Sequence, residues 1–166
     1  MSVDDIVQHL EVLDQLHFNL LELGKQKKQV IIDNNIEELK EMMNQESMLI
    51  KQISDIDSKR VQAVINFARQ KGVQPNPNIT ITELSRFIID PEEKKALITA
   101  QGKLLKTMDE MKHINQLNQK LIEQSLSYIN VTMEAALGTS NDHATYQNPL
   151  TSQQQGSRKG IFDVKG

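Results

Sequence analysis

Residues 91–137 read PEEKKALITAQGKLLKTMDEMKHINQLNQKLIEQSLSYINVTMEAAL, with no proline after Pro91 and one glycine, Gly102. Such a stretch predicts a single helix roughly 70 Å long at about 1.5 Å per residue. At about 100° per residue, Leu97, Leu104, Met108, Met111, Asn115, Ile122, Leu126, Ile129, Met133 and Leu137 share one face from end to end. A second set, Ile114, Leu117, Leu121, Tyr128, Val131 and Ala135, lies roughly 150° away by the same geometry and begins only at Ile114. One stripe serves one neighbour; two stripes ask for two. Either a bundle supplies both neighbours, or the helix outruns its partners and leaves part of its second face as a groove for another protein's helix.

The upstream residues supply the partners. Val3, Ile6, Leu10, Leu13, His17 and Leu20 step by three and four and predict a helix over about 3–32, weakened at Gly24 and the lysine cluster Lys25, Lys27 and Lys28. Asn35 with Glu38 has the form of a capping box, opening a helix over about 36–71 that Gly72 ends. Its heptad seam is Ile36, Leu39, Met43, Ile50, Ile53, Val64 and Phe67, with Met42, Leu49 and Ile56 beside it. Glu46, Asp57 and Arg60 interrupt that seam, either fixing register or lying at a wet edge. Residues 74–78 are loop, because Pro75 and Pro77 disfavour helix before them. Thr80 and Glu83 form a second capping box for a short helix over 81–89, and Asp90-Pro91 starts the long helix with a cap and a proline at its first position. The expected fold is all-α, a long antiparallel helical hairpin or three-helix coiled-coil bundle. It has a helical domain at 1–137 and a tail at 138–166 whose Gln-, Ser- and Gly-rich composition predicts disorder when free.

Composition narrows the function. Cysteine is absent, which removes disulfides, thiolate metal sites and cysteine nucleophiles. A net charge of -3 with mixed signs and few aromatics gives no bias toward nucleic acid. The acidic start lacks the features of a signal peptide, and no run approaches the roughly 18 apolar residues of a membrane span, so a cytoplasmic protein without membrane insertion is expected. Glu110-x-x-His113 and Asp14-x-x-His17 have the spacing of carboxylate-bridged metal motifs, but the two further inward glutamates such a site needs are missing. No nucleophile elbow or phosphate-cradling glycine loop occurs. The expectation is a non-enzyme with no metal and no cofactor.

Three patches resemble the FlgN family of flagellar type III export chaperones. The first is Glu46-Ser-Met-Leu49-Ile50 with Arg60 downstream. The second is Asn115-Gln-Leu-Asn118-Gln-Lys-Leu121-Ile122. The third is Thr145-Tyr146 after the last helix, followed by a Gly/Ser/Gln stretch and Gly160-Ile161-Phe162-Asp163-Val164-Lys165. Tyr146 is followed by Gln147 where the family often has glycine. The resemblance implies a cytoplasmic chaperone that binds the C-terminal helical segment of hook-filament junction (hook-associated) proteins, prevents premature assembly and delivers them to the flagellar export gate. It also implies that Tyr146 docks on the gate's cytoplasmic domain.

Combined with the stripe geometry, this places the substrate helix on Ile114, Leu117, Leu121, Ile122, Leu126, Tyr128, Ile129 and Val131. Ile161 and Phe162 serve as apolar anchors in the tail. Two rivals remain at this point: a structural coiled-coil protein that self-associates through the second stripe, and a secretion chaperone for another cargo, such as the filament cap.

Overall fold

A computed structural model describes residues 2–74, 76 and 78–138. These residues are all-helical: α1 is Val3–Ile32, α2 Ile36–Gln70, α3 Ile81–Ser85 and α4 Pro91–Ala136. The chain divides into two compact units, Met1–Ile129 and Asn130–Gly166. The first holds the bundle. In the second, the described residues are the last turns of α4 and residues 137–138, with Val131, Met133 and Leu137 all exposed.

Local chemistry sets the helix ends. At α2 half of the expected box forms: the Asn35 side chain accepts from the Glu38 amide at 3.2 Å. The Asn35 amide donates to Val30 O, and Glu38 Oε2 accepts from Asn35 Nδ2 instead. At α3 the box is reciprocal, with Glu83 N–H donating to Thr80 Oγ1 at 3.1 Å and Thr80 N–H to Glu83 Oε2 at 2.8 Å. Asp90 Oδ1 accepts from the Glu92 amide at 2.8 Å and starts α4. Helix α2 stops in a Schellman motif: Gly72 takes φ +70°, Gly72 N–H reaches Arg69 O, and Val73 N–H reaches Ala68 O. Helix α1 ends the same way, with Asn34 at φ 52° and Asn35 N–H donating to Val30 O. The asparagine in the left-handed position was not expected from the pattern.

The short helix is shorter than the expected 81–89. It ends at Ser85, and residues 86–88 continue as single turns, Arg86 N–H to Glu83 O and Phe87 N–H to Leu84 O. Leaving the helix lets Ile88 stay in the core while Phe87 and Ile89 face solvent, just before Pro91 disfavours helix at Asp90.

Helices α1 and α2 are antiparallel, with Lys27 of one bridging Glu46 of the other at 2.9 Å. Helix α4 runs parallel to α1, because Asp14 meets Thr107 and Gly24 meets Asn118, offsets of 93 and 94 residues. The main core joins Ile6, Leu10 and Leu13 of α1, Val64 and Phe67 of α2, Leu84 of α3, and Leu97 and Leu104 of α4. Each such side chain contributes about 1.5–3 kcal/mol on burial. A smaller cluster packs Leu23 and Val30 of α1 against Met42, with Leu39 and Leu49 alongside. The α2 seam is therefore displaced from the expected one at its N-terminal half: Met42 is buried, whereas Ile36, Met43 and Ile50 are exposed. Residue pairs one apart differ by about 100° in phase, and α1 selects the Met42 side.

Candidate docking surface

Two sets of polar contacts, the first half-buried and the second buried, fix the face that α4 turns to α1. Thr107 Oγ1 donates to Asp14 Oδ1 at 2.6 Å, and Lys103 Nζ lies 3.3 Å from Asp14 Oδ2. Further along, Asn118 is 3% exposed and its Nδ2 donates to Gly24 O at 2.8 Å. Gly24 is required here: a Cβ on it would lie 2.9 Å from Ile114 Cγ2, below any ordinary carbon contact. Nearby, Lys25 donates to Glu22 at 2.8 Å, and this bond, with Glu110 adding its field, raises the ammonium above its ordinary pKa.

This register sorts the expected substrate-binding residues. Ile114 faces Gly24, and Leu121 and Ile122 are half-buried, so these three share their surface with the bundle. Leu117, Leu126, Tyr128 and Ile129 are exposed, by 57% at Leu126 and 70% at Tyr128. By the α1–α4 offset, Ile32 is level with about residue 126 of α4, so Leu126 to Ile129 lie where α1 has ended. The expected groove and the expected core thus each take part of the stripe. Val131 is exposed in the second unit. Tyr146, Ile161 and Phe162 lie outside the described residues.

Of the two carboxylate–histidine spacings, Asp14/His17 is taken up by packing and Glu110/His113 lies on the surface. His17 Nδ1 donates to Leu13 O at 2.7 Å within the core, Asp14 takes Thr107 and Lys103, and His113 sits 3.5 Å from Asp109 on the surface.

Sequence reasoning missed the pair Gly24 and Asn118. Asn115, placed on the apolar face, is exposed, and Asn118 is the buried one. The signal was present as a glycine interrupting an otherwise continuous α1 stripe, the mark of a close backbone approach.

The protein-family model described as FlgN protein matches residues 1–153 of the chain. No curated protein and no solved structure matches it.

Proposed function

The chain belongs to the FlgN family, and on that premise we propose that the exposed apolar stripe of α4 receives the C-terminal helical segment of hook-filament junction proteins. FlgN proteins are cytoplasmic, non-enzymatic export chaperones for hook-associated proteins of the flagellum. Among the described residues, no helix is long and apolar enough to cross a membrane.

The observation that carries the proposal is the exposure of Leu126, Tyr128 and Ile129 where α4 has passed its α1 neighbour, with Leu117 exposed further back on the same helix. A run of exposed apolar side chains of this kind marks a binding surface, and an amphipathic helix covers it with its own apolar face. Occupying the substrate's coiled-coil-forming segment keeps it from assembling early. Ile114, Leu121 and Ile122 extend the same contact, Val131 is a further substrate-binding residue, Tyr146 docks the complex on the cytoplasmic domain of the export gate, and Ile161 with Phe162 anchors the tail.

Co-purification with a hook-associated protein tests the surface. Leu126→Asp with Tyr128→Asp should abolish capture while helicity by circular dichroism is unchanged, because both side chains lie outside the core clusters. Undiminished capture by the double variant would remove the α4 stripe from the binding site. For the gate, Tyr146→Ala should reduce pull-down by the gate's cytoplasmic domain and leave substrate capture intact.

A further inference from the structure

The face that α4 buries and the face that is most apolar part company along the helix. Leu97, Leu104, Met111, Asn118 and Ser125 turn toward the bundle at strict heptad spacing, each buried or half-buried. A heptad line on a 3.6-residue helix drifts about 20° per repeat, so Asn118 lies about 60° round the axis from Leu97. The apolar stripe keeps closer to the helical period. Met108, Ile122, Leu126 and Ile129 stay within about 40° of Leu97 by the same geometry. Met108, Leu126 and Ile129 are exposed, and Ile122 is half-buried.

Apolar burial alone favours a different phase. The α1–α4 offset sets Leu126 level with the end of α1, where Ile32 is exposed as well. Turning α4 by about 60° would bring Ile122 and Leu126 onto that end. Two asparagines oppose the turn. Asn118 points inward and donates to Gly24 O at 2.8 Å, where the missing Cβ lets the helices approach. Its Oδ1 is buried without a partner, so what Asn118 contributes is register rather than stability. Asn115 lies with the stripe and is exposed. The turned phase would bury it opposite Leu21, level with it by the offset and 1% exposed, whose side chain offers its amide no acceptor. At 3% exposure, Asn118 is itself closed to a docking helix.

We propose that Asn118 and Asn115 are positioning residues for cargo capture. Asn118 pins, through Gly24, the phase of α4 that leaves Leu126 and Ile129 outside, and Asn115 makes the competing phase costly. The expected loss of capture rests on the stripe reading, whereas the phase of free α4 does not.

The test compares the full native chain with Asn118→Leu and with Asn115→Leu, Asn118→Leu, by methyl NMR and by capture of a hook-associated protein. The free double variant should show new contacts between the methyls of Leu126 and those of Ile31 or Ile32. It should melt no lower than the native chain, because leucine removes an unpaired buried oxygen and favours helix. Its affinity for the hook-associated protein should fall at least about tenfold, with Asn118→Leu intermediate. A second measurement needs no variant to fold. In the native chain the Asn118 side-chain amide should exchange at least about tenfold more slowly than that of Asn115, with cargo bound as well as free. Native methyl contacts in the double variant, or an Asn118 amide that cargo exposes or contacts, would overturn the proposal. Full capture by a double variant whose phase has turned would overturn the capture role and the stripe reading together. Full capture by the Leu126→Asp, Tyr128→Asp variant would sink the stripe reading alone and leave the phase assignment standing.

Discussion

At the scale of single residues, two glycines in long helices make opposite predictions. Each lowers helix propensity by roughly 1 kcal/mol relative to alanine. A Cβ at Gly102 meets nothing within 4 Å, so Gly102→Ala should stabilise the protein by about 0.5–1 kcal/mol. At Gly24 the added carbon would press on the Ile114 Cγ2 methyl, which is held one bond from the branched Cβ and moves only by leaving the strongly preferred helical rotamer. Gly24→Ala should therefore part α1 from α4, stretch the Asn118–Gly24 hydrogen bond and destabilise by about 1 kcal/mol net, overpacking outweighing propensity. Thermal melts of the two variants should move in opposite directions. Asn118 adds to the tension of this contact, because its Oδ1 is buried without a hydrogen-bond partner. The protein tolerates that cost where the pairing also fixes which face of α4 is left outside. None of this was legible in the sequence beyond an interrupted stripe. A glycine announces a close approach without saying to what.

At the scale of elements, legibility followed locality. The caps at Asn35, Thr80 and Asp90 involve partners within three residues and form where the sequence implies. The displaced face of α2 and the early end of α3 depend on neighbours distant in sequence, and there periodicity alone chose wrongly between Met43 and Met42 and ran the helix past Ser85. The α3 cap gives a test in pH. Thr80's amide and hydroxyl hold the Glu83 carboxyl below its ordinary value of 4.5. A carboxylate with a depressed folded pKa stabilises above the unfolded value and loses that contribution as pH falls through the folded one. Amide exchange in 81–88, normalised for its intrinsic pH dependence, should accelerate as pH drops below 4.5 in the native chain. Glu83→Gln should show the looser state already at neutral pH and little further change. A native profile flat to the acid limit would show that the box does not hold α3.

At the scale of the whole molecule, buried contacts are distributed unevenly, and the proposed docking stripe falls where they are fewest. Four helices converge on the cluster around Leu97 and Leu84, both fully buried, whereas the second cluster joins only α1 and α2. Helix α4 therefore passes from a crowded neighbourhood, through the single buried contact at Asn118, to residues 126–129 with exposed apolar side chains. Local opening costs least where few buried contacts must be broken. Truncating Leu97 to alanine should cost about 2–5 kcal/mol, and truncating Leu126 little or nothing. Hydrogen exchange on the free protein should show protection falling along α4, high at Leu97 to Leu104 and low from Leu121 to Ile129. A hook-associated protein that packs on the stripe must order those same turns, so protection at 121–129 should rise on complex formation while that at 97–104, already limited by global unfolding, changes little. Uniform protection along free α4 would mean that the stripe is rigid without its partner. A rise elsewhere in the bundle, with none at 121–129, would move the primary binding site off the stripe.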